Sequence, residues 1–231
     1  MKRFWQDVAV APEEGGWAVC LDDRPVRTPA RAMLIVPNRA LADAIAGEWH
    51  AVEGEIDPRA MPLTGLANAA IDRVAPEKDA FAGGLARYAE ADLACYRADS
   101  PGELVQRQAD SWDALLGWAR RRFDVDFATT TGVTHVQQPR ATVDRLGHEV
   151  AALGPFQLAA LSPLVTIGGS LVAALAVLEK AVTPEAAWDA VSFDDRWQLE
   201  RWGSDAEAQA ALDNRRKDFL AASRFLDLLG G

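Results

Sequence analysis

Apolar residues follow a period of two near the start of the chain and a period near 3.6 further on. Trp17-Ala18-Val19-Cys20-Leu21 sets Trp17, Val19 and Leu21 on one face, the alternation of a half-buried strand. Asp22-Asp23-Arg24-Pro25 reads as a tight turn, after which Val26 and Thr28 resume the strand pattern. Met33-Leu34-Ile35-Val36 is a further short strand closed by Pro37, and Phe4-Trp5-Gln6-Asp7-Val8 is expected to open the sheet. Asn38 is a suitable helix N-cap. Behind it Leu41, Ala44, Ile45, Trp49 and Val52 fall at helical spacing, and only Glu48 breaks the apolar stripe. The matching periodicities predict one core built by Val19, Leu21, Ile45 and Trp49.

Asp57-Pro58 to Met61-Pro62 reads as a loop, and Thr64 as the opening of a second helix through Leu66, Ala67, Ala70 and Ile71. From about residue 76 the pattern is helical throughout. Pro76-Glu77 stands at a helix start, with Phe81, Leu85 and Tyr88 inside. Ser100-Pro101-Gly102-Glu103 has the form of a capping box with proline at the first helical position. The helix behind it carries Leu104, Val105, Gln108, Trp112, Leu115, Leu116 and Trp118. Residues 129–136 are rich in β-branched side chains and read as a loop or a short strand. Helices follow over 139–153, from Thr183-Pro184-Glu185 through Trp188, and from Asp194 to Trp202, where Gly203 stops the helix. Ser204-x-x-Glu207 is a second capping box opening a terminal helix with Leu212, Phe219, Phe225 and Leu228. The expected fold class is α+β: a small β-rich N-terminal domain with packed helices, residues 1–75, then a larger all-helical domain, residues 76–231.

No charged residue occurs between Glu149 and Glu179, so hydropathy alone nominates Leu158 to Leu178 as a membrane span. Ser162-Pro163 and Gly168-Gly169 interrupt the run, and no basic cluster flanks it. The expectation is a buried helical hairpin over 156–181, with no stable membrane insertion. The N-terminal Met1-Lys2-Arg3-Phe4-Trp5-Gln6-Asp7 has no apolar core and an early acid, unlike a signal or transit peptide, which places the expected site of action in the cytoplasm.

The 231 residues suffice for one large domain or two small ones, and 49% apolar with 25% charged residues is ordinary for a globular chain. A net charge of −10 argues against nucleic acid and against an anionic membrane surface as partners, because both demand a basic face. Cys20 and Cys95 make no Cys-x-x-Cys pair and read as two buried thiols in a reducing compartment.

Little in the chain has the form of a catalytic or metal site. His50, His135 and His148 do not pair at ligand spacing, so no metal is expected. There is no Gly-x-Ser-x-Gly, and Gly168-Gly169-Ser170 lacks the lysine of a phosphate loop, so it reads as close helix packing. No cofactor and no small-molecule substrate are expected. Asp194-Asp195, Glu200, Asp205 and Glu207 form an acidic segment. Neighbours on a helix point apart, so these acids read first as caps and solvated charge, next as a partner-binding edge, and least as an acid/base pair. Of the eight tryptophans, Trp197 and Trp202 lie within this charged segment, so at least one is expected outside the core.

Five segments, in order, resemble the family of assembly chaperones that bind the α subunit of F(1)-ATPase. They are Arg3-Phe4-Trp5-Gln6-Asp7-Val8; Leu21-Asp22-Asp23-Arg24-Pro25-Val26-Arg27-Thr28-Pro29; Met61-Pro62-Leu63-Thr64 with Ala70-Ile71-Asp72; Asp92-Leu93-Ala94-Cys95-Tyr96-Arg97; and Trp197-Gln198-Leu199-Glu200-Arg201-Trp202-Gly203. Each is short, but the ordered set spans nearly the whole chain. The resemblance implies no enzyme activity and no cofactor; eukaryotic members act in mitochondria, so the lack of a transit-peptide pattern points to a bacterial cytoplasmic member. It implies a chaperone that holds free α subunit until the β subunit replaces it. Its acidic segment maps onto Glu200 to Glu207, so the implied partner-binding residues are Glu200, Trp197, Arg201, Trp202, Asp205 and Glu207. Two departures stand out. Asp23 occupies a hairpin place where the family often has glycine, and Ala206 occupies a place where eukaryotic members tend to carry glutamate. The alternative is a carboxylate-dependent hydrolase with its site in the helical domain. A deep pocket with convergent acids would favour the hydrolase, and an exposed apolar or acid-rimmed groove the chaperone.

Overall fold

The computed structural model describes residues 2–203 and 205–230. The fold is α+β, with a small strand region first and a mostly helical remainder. The chain divides into two compact units: residues 1–78 with 154–160 and 224–231, and residues 79–153 with 161–223.

In the first unit, strand β1 (Val8–Glu13) pairs antiparallel with β2 (Gly16–Leu21), from Val8 opposite Leu21 to Glu13 opposite Gly16. The other edge of β2 takes β3 (Arg24–Pro25) and β4 (Ile35–Val36). The sheet therefore opens at Val8 and not at Phe4. The N–H groups of Gln6 and Asp7 donate to Asp22 Oδ1, both at 3.0 Å, so they are unavailable to a strand partner. β1 carries Ala9, Ala11 and Pro12 on the sheet edge, a faint alternation that hides it in the sequence. Asp22 makes the turn in the left-handed region, at φ 52°, so the aspartate itself supplies the backbone conformation that a glycine would otherwise give.

Asn38 caps α1 (Arg39–His50), its Oδ1 accepting from the Leu41 N–H at 2.9 Å. Leu41, Ala42 and Ile45 are fully buried, as are Val19 and Leu34. Trp49 is only half-buried. Trp5 takes the core position, edge-on to Trp49 at 5.3 Å. Glu48 explains its place on an apolar stripe, because its carboxylate accepts from Leu63 N, Thr64 N and Thr64 Oγ1 at 2.8, 2.8 and 2.7 Å. It caps α2 (Pro62–Ala69), which therefore starts two residues before Thr64. Pro76 does stand just before α3 (Lys78–Ala86). The chain reaches it without leaving helical space, through a π turn at Ala70–Val74 and a 3-10 turn at Ala75–Glu77.

The second unit holds most of α3 and then α4 (Gly102–Phe123), α5 (Arg140–Ala151), α7 (Leu171–Leu178), α8 (Pro184–Val191) and α9 (Phe193–Trp202). Helices α6 (Pro155–Gly168) and α10 (Ala206–Leu229) each contribute residues to both units. The capping box at Ser100 does not form. Pro101 takes the cap position with an extended backbone, and Ser100 Oγ donates to Asp99 instead. Ser204 of the second box lies outside the described residues; Asp205 accepts from the Glu207 N–H at 3.1 Å at the start of α10.

The uncharged run forms α6 and α7. Pro163 is accommodated within α6, and the break falls at Gly169, φ 66°, where Ser170 caps α7 through the Ala173 N–H. A Cβ on Gly168 would lie 3.2 Å from the Val191 side chain, so the glycine allows close packing of α8. Leu171 to Val177 are all buried, and among the described residues no helix is long and apolar enough to cross a membrane. Both thiols are free; Cys95 is buried, whereas Cys20 is half-buried.

Candidate partner-binding site

Helix α9 is short and mostly polar outside Leu199 and three aromatics, Phe193, Trp197 and Trp202, so its position depends on what holds it. Phe193 and Trp197 turn inward and stack, with ring centres 6.5 Å apart. Arg107, from α4, lies over both rings, its guanidinium carbon 5.2 Å from the Phe193 centre and 4.9 Å from that of Trp197. Gln108, buried on the same helix, donates to Asp194 Oδ1 at 2.8 Å while its Oε1 accepts from the Ala98 N–H at 2.7 Å. Asp195 pairs with Arg215 of α10 at 2.6 Å.

The segment before α4 is fixed from below. Asp92, fully buried, caps Ala94 and receives the Val172 N–H at 2.9 Å at the start of α7. Burial pushes its carboxyl above the usual range, against these donors, which pull it down. Burial and the neighbouring Asp92 push the Cys95 thiol up to about 12, so it stays protonated and unreactive. Tyr96–Arg97 (β5) pairs in parallel with Thr130–Thr131 (β6), which carries the following Gly132 and Val133 alongside.

These elements enclose a groove of about 600 Å³ within the second unit. Leu93, Tyr96, Pro101, Leu104 and Val133 line it against Trp197, Gln198, Arg201 and Trp202 of α9. Trp202 is 78% exposed and Val133 98%; they and Phe4 are the large hydrophobic side chains left open among the described residues. Trp197, five residues before Trp202 on the same helix, is 6% exposed.

The residues nominated from sequence separate into two sets. Trp197, Arg201 and Trp202 meet on the groove wall. Glu200 does not line it; its Oε2 lies 3.3 Å from Arg107 Nη1. Asp205 and Glu207 are exposed at the start of α10, outside the lining. Asp194, Asp195 and Glu200 each take a separate partner and do not converge on a common point. Among the described residues no cluster of His, Cys, Asp or Glu has the form of a metal site. Sequence reasoning missed Arg107, Leu93, Leu104 and Val133 as parts of the site. The signals toward them were the Asp92 to Arg97 segment, the β-branched stretch at 129–136 and the helix carrying Leu104, none of which indicated that they meet.

The family described as "ATP12 chaperone protein" matches residues 2–120. The Schizosaccharomyces pombe "Protein atp12, mitochondrial" is 26% identical over 97% of this chain and 81% of its own length. Among solved structures, Atp12 from Paracoccus denitrificans is 46% identical, covers 99% of this chain and 98% of its own, and superposes with a TM-score of 0.94. The same protein is also solved as a lysine-for-aspartate mutant, with the same identity and TM-score. A chaperone candidate from Agrobacterium tumefaciens is 40% identical over 99% of this chain and 86% of its own, again at 0.94. The chain belongs to the ATP12 chaperone family.

Proposed function

We propose that this chain binds the free α subunit of F(1)-ATPase and protects it until the β subunit takes its place, with the exposed edge of α9 as the capture surface. The broader part of this reading, an assembly chaperone of ATP synthase and not an enzyme, rests on membership of a chaperone family. The observation that carries the site is Trp202, 78% exposed on the wall of an apolar groove. A large ring left in water contributes nothing to this chain's own core, and tryptophan is among the residues that dominate interface energetics. An unassembled subunit exposes apolar surface that aggregates, and a groove with an open aromatic rim is suited to cover it. Bacterial relatives of known structure support a bacterial cytoplasmic setting.

Within the edge the contributions rank. Glu200 is already paired with Arg107, so a partner's cation must displace an internal one, whereas Trp202 has only water to lose. The test is capture of purified α subunit by immobilised chain. Trp202→Ala is expected to weaken capture at least tenfold, about 1.4 kcal/mol. Glu200→Lys is expected to weaken it less, and the melting temperature of neither variant should move appreciably. If Trp202→Ala, Glu200→Lys, Asp205→Lys and Glu207→Lys all fold and capture normally, α9 and the start of α10 are not the capture edge. If the unmodified chain fails to capture α subunit, the partner is wrong.

A further inference from the structure

We infer that the groove beside α9 seats an apolar stretch of the captured subunit whose carboxylate side chain meets Arg201, so that recognition includes a cation of this chain as well as its acids. The inference rests on the reading above that α9 is the capture edge.

Asp194, Trp197, Gln198 and Arg201 stand at i, i+3, i+4 and i+7 of α9, which places them on one helix face, and all four line the groove. The charges on the lining differ in how far they are already engaged. Arg97 is held by Asp113 at 2.7 Å and by the Ala94 carbonyl at 2.9 Å. Asp194 is engaged by the Gln108 amide. Arg201 is exposed and has no carboxylate within ion-pair distance among the described residues. Its guanidinium lies over Trp197, 5.6 Å from the ring centre. A guanidinium stacked on a ring keeps its N–H fork free at the edge, the geometry that binds a carboxylate through two parallel hydrogen bonds.

The occupant follows from charge complementarity. The groove that Arg201 lines is mostly apolar, with Leu104 and the exposed Trp202 and Val133 in its wall. An uncharged apolar segment laid there would strip water from Arg201 and return nothing to it. A basic segment would be repelled. An apolar segment bearing an aspartate or glutamate satisfies both parts of the surface and fixes the register of docking. The volume of about 600 Å³ admits a few side chains, in the range of ordinary ligand clefts.

The test uses the full chain and purified α subunit. Affinities are measured for the unmodified chain, Arg201→Gln and Arg201→Glu at two salt concentrations. Arg201→Gln keeps an apolar stem over Trp197 and removes only the charge. Capture is expected to fall at least tenfold in Arg201→Gln and further in Arg201→Glu, with a weaker salt dependence for Arg201→Gln. Because Arg201 is exposed, the three melting temperatures are expected to coincide. In parallel, a photo-crosslinking amino acid at position 198 identifies the facing α-subunit peptide by mass spectrometry. That peptide is expected to carry an acid beside apolar residues, and lysine at that acid should restore capture by Arg201→Glu. This charge swap keeps the test decisive even if a single variant folds poorly. Full capture by both Arg201 variants, a crosslinked peptide without an acid, or no rescue by the swap overturns this inference and leaves α-subunit capture standing. No capture by the unmodified chain overturns the reading beneath it.

Discussion

Glu48 gives the sharpest test of how this sequence specifies its first unit. A carboxylate on the apolar face of α1 costs desolvation unless something repays it, and here the start of α2 does. Leu63 and Thr64 are buried, and their N–H groups have Glu48 as acceptor at 2.8 Å each, with the Thr64 hydroxyl as a third donor at 2.7 Å. Glu48→Ala leaves two buried N–H groups unpaired, at about 1–3 kcal/mol each, and removes a negative charge from a helix N-terminus, worth roughly 0.3–1 kcal/mol. The half-buried position of Glu48 lets water reach part of the gap, and alanine's higher helix propensity returns a few tenths of a kcal/mol. The net loss is about 2–4 kcal/mol. For a chain of this size each kcal/mol moves the melting temperature by roughly 2–4 °C. Glu48→Gln keeps one acceptor oxygen but loses the charge, and is expected near half the loss of alanine. Urea and thermal melts followed by far-UV circular dichroism measure both. If both variants stay within about 0.5 kcal/mol of the unmodified chain, the N–H groups of α2 have another acceptor and the account is wrong.

Three further outcomes follow from the packing. Trp197→Ala removes a buried ring and the platform under Arg107 and Arg201, and should cost about 3–5 kcal/mol in a denaturant melt; a loss under about 1 kcal/mol would mean that α9 is held without it. Gly16→Ala is expected to destabilise the sheet, because a Cβ at Gly16 overlaps the Val36 carbonyl and the residue sits at φ 154°; an unchanged urea midpoint would show that β4 yields freely. The Asp22 carboxyl is held below its usual range by the N–H groups of Asp7 and Gln6. A depressed folded-state value gives stability that is present above the unfolded value, about 3.9, and is lost as pH falls through the folded one. Asp22→Asn tolerates the same left-handed backbone and keeps an acceptor oxygen, so the difference between the two proteins should be present above about pH 4 and shrink as the pH falls further below it; a difference that stays constant on both sides of about pH 4 would refute the linkage.

Much of the fold was legible because it is encoded within single elements. Asn38 before an apolar stripe, Thr183-Pro184 before a helix and Gly203 after one are local signals, and each acts as read. The errors arose where a distant group overrode the local one. Asp22 took the N–H groups that would have extended the sheet toward Phe4, and Glu48 moved the start of α2 from Thr64 to Pro62. The site was half legible for the same reason. Trp197, Arg201 and Trp202 are close in sequence and fall together on one wall. Leu93 and Val133 are brought to the groove by the burial of Asp92 and the pairing of β5 with β6, contacts between residues far apart in sequence that no period reveals.

If α9 is the capture edge proposed above, the charge arrangement around it bears on release as much as on capture. A chaperone that yields to a permanent subunit needs contacts that are individually modest and already have an alternative partner within its own chain. Glu200 with Arg107, and Arg196 with Asp189, are exposed pairs of that kind, each worth roughly 0–1 kcal/mol. Exchanging one of them for a contact with the captured subunit changes the free energy little in either direction, so such groups can set orientation without locking the complex. On that reading the affinity falls to the groups with no ion-pair partner among the described residues, the open ring of Trp202 and the fork of Arg201. Both sit at the last turn of α9 beside Gly203, where the helix ends. Under the proposed reading, a competitor that needs to uncover only this one turn can displace the chaperone without first disturbing Phe193, Trp197 and the rest of its core.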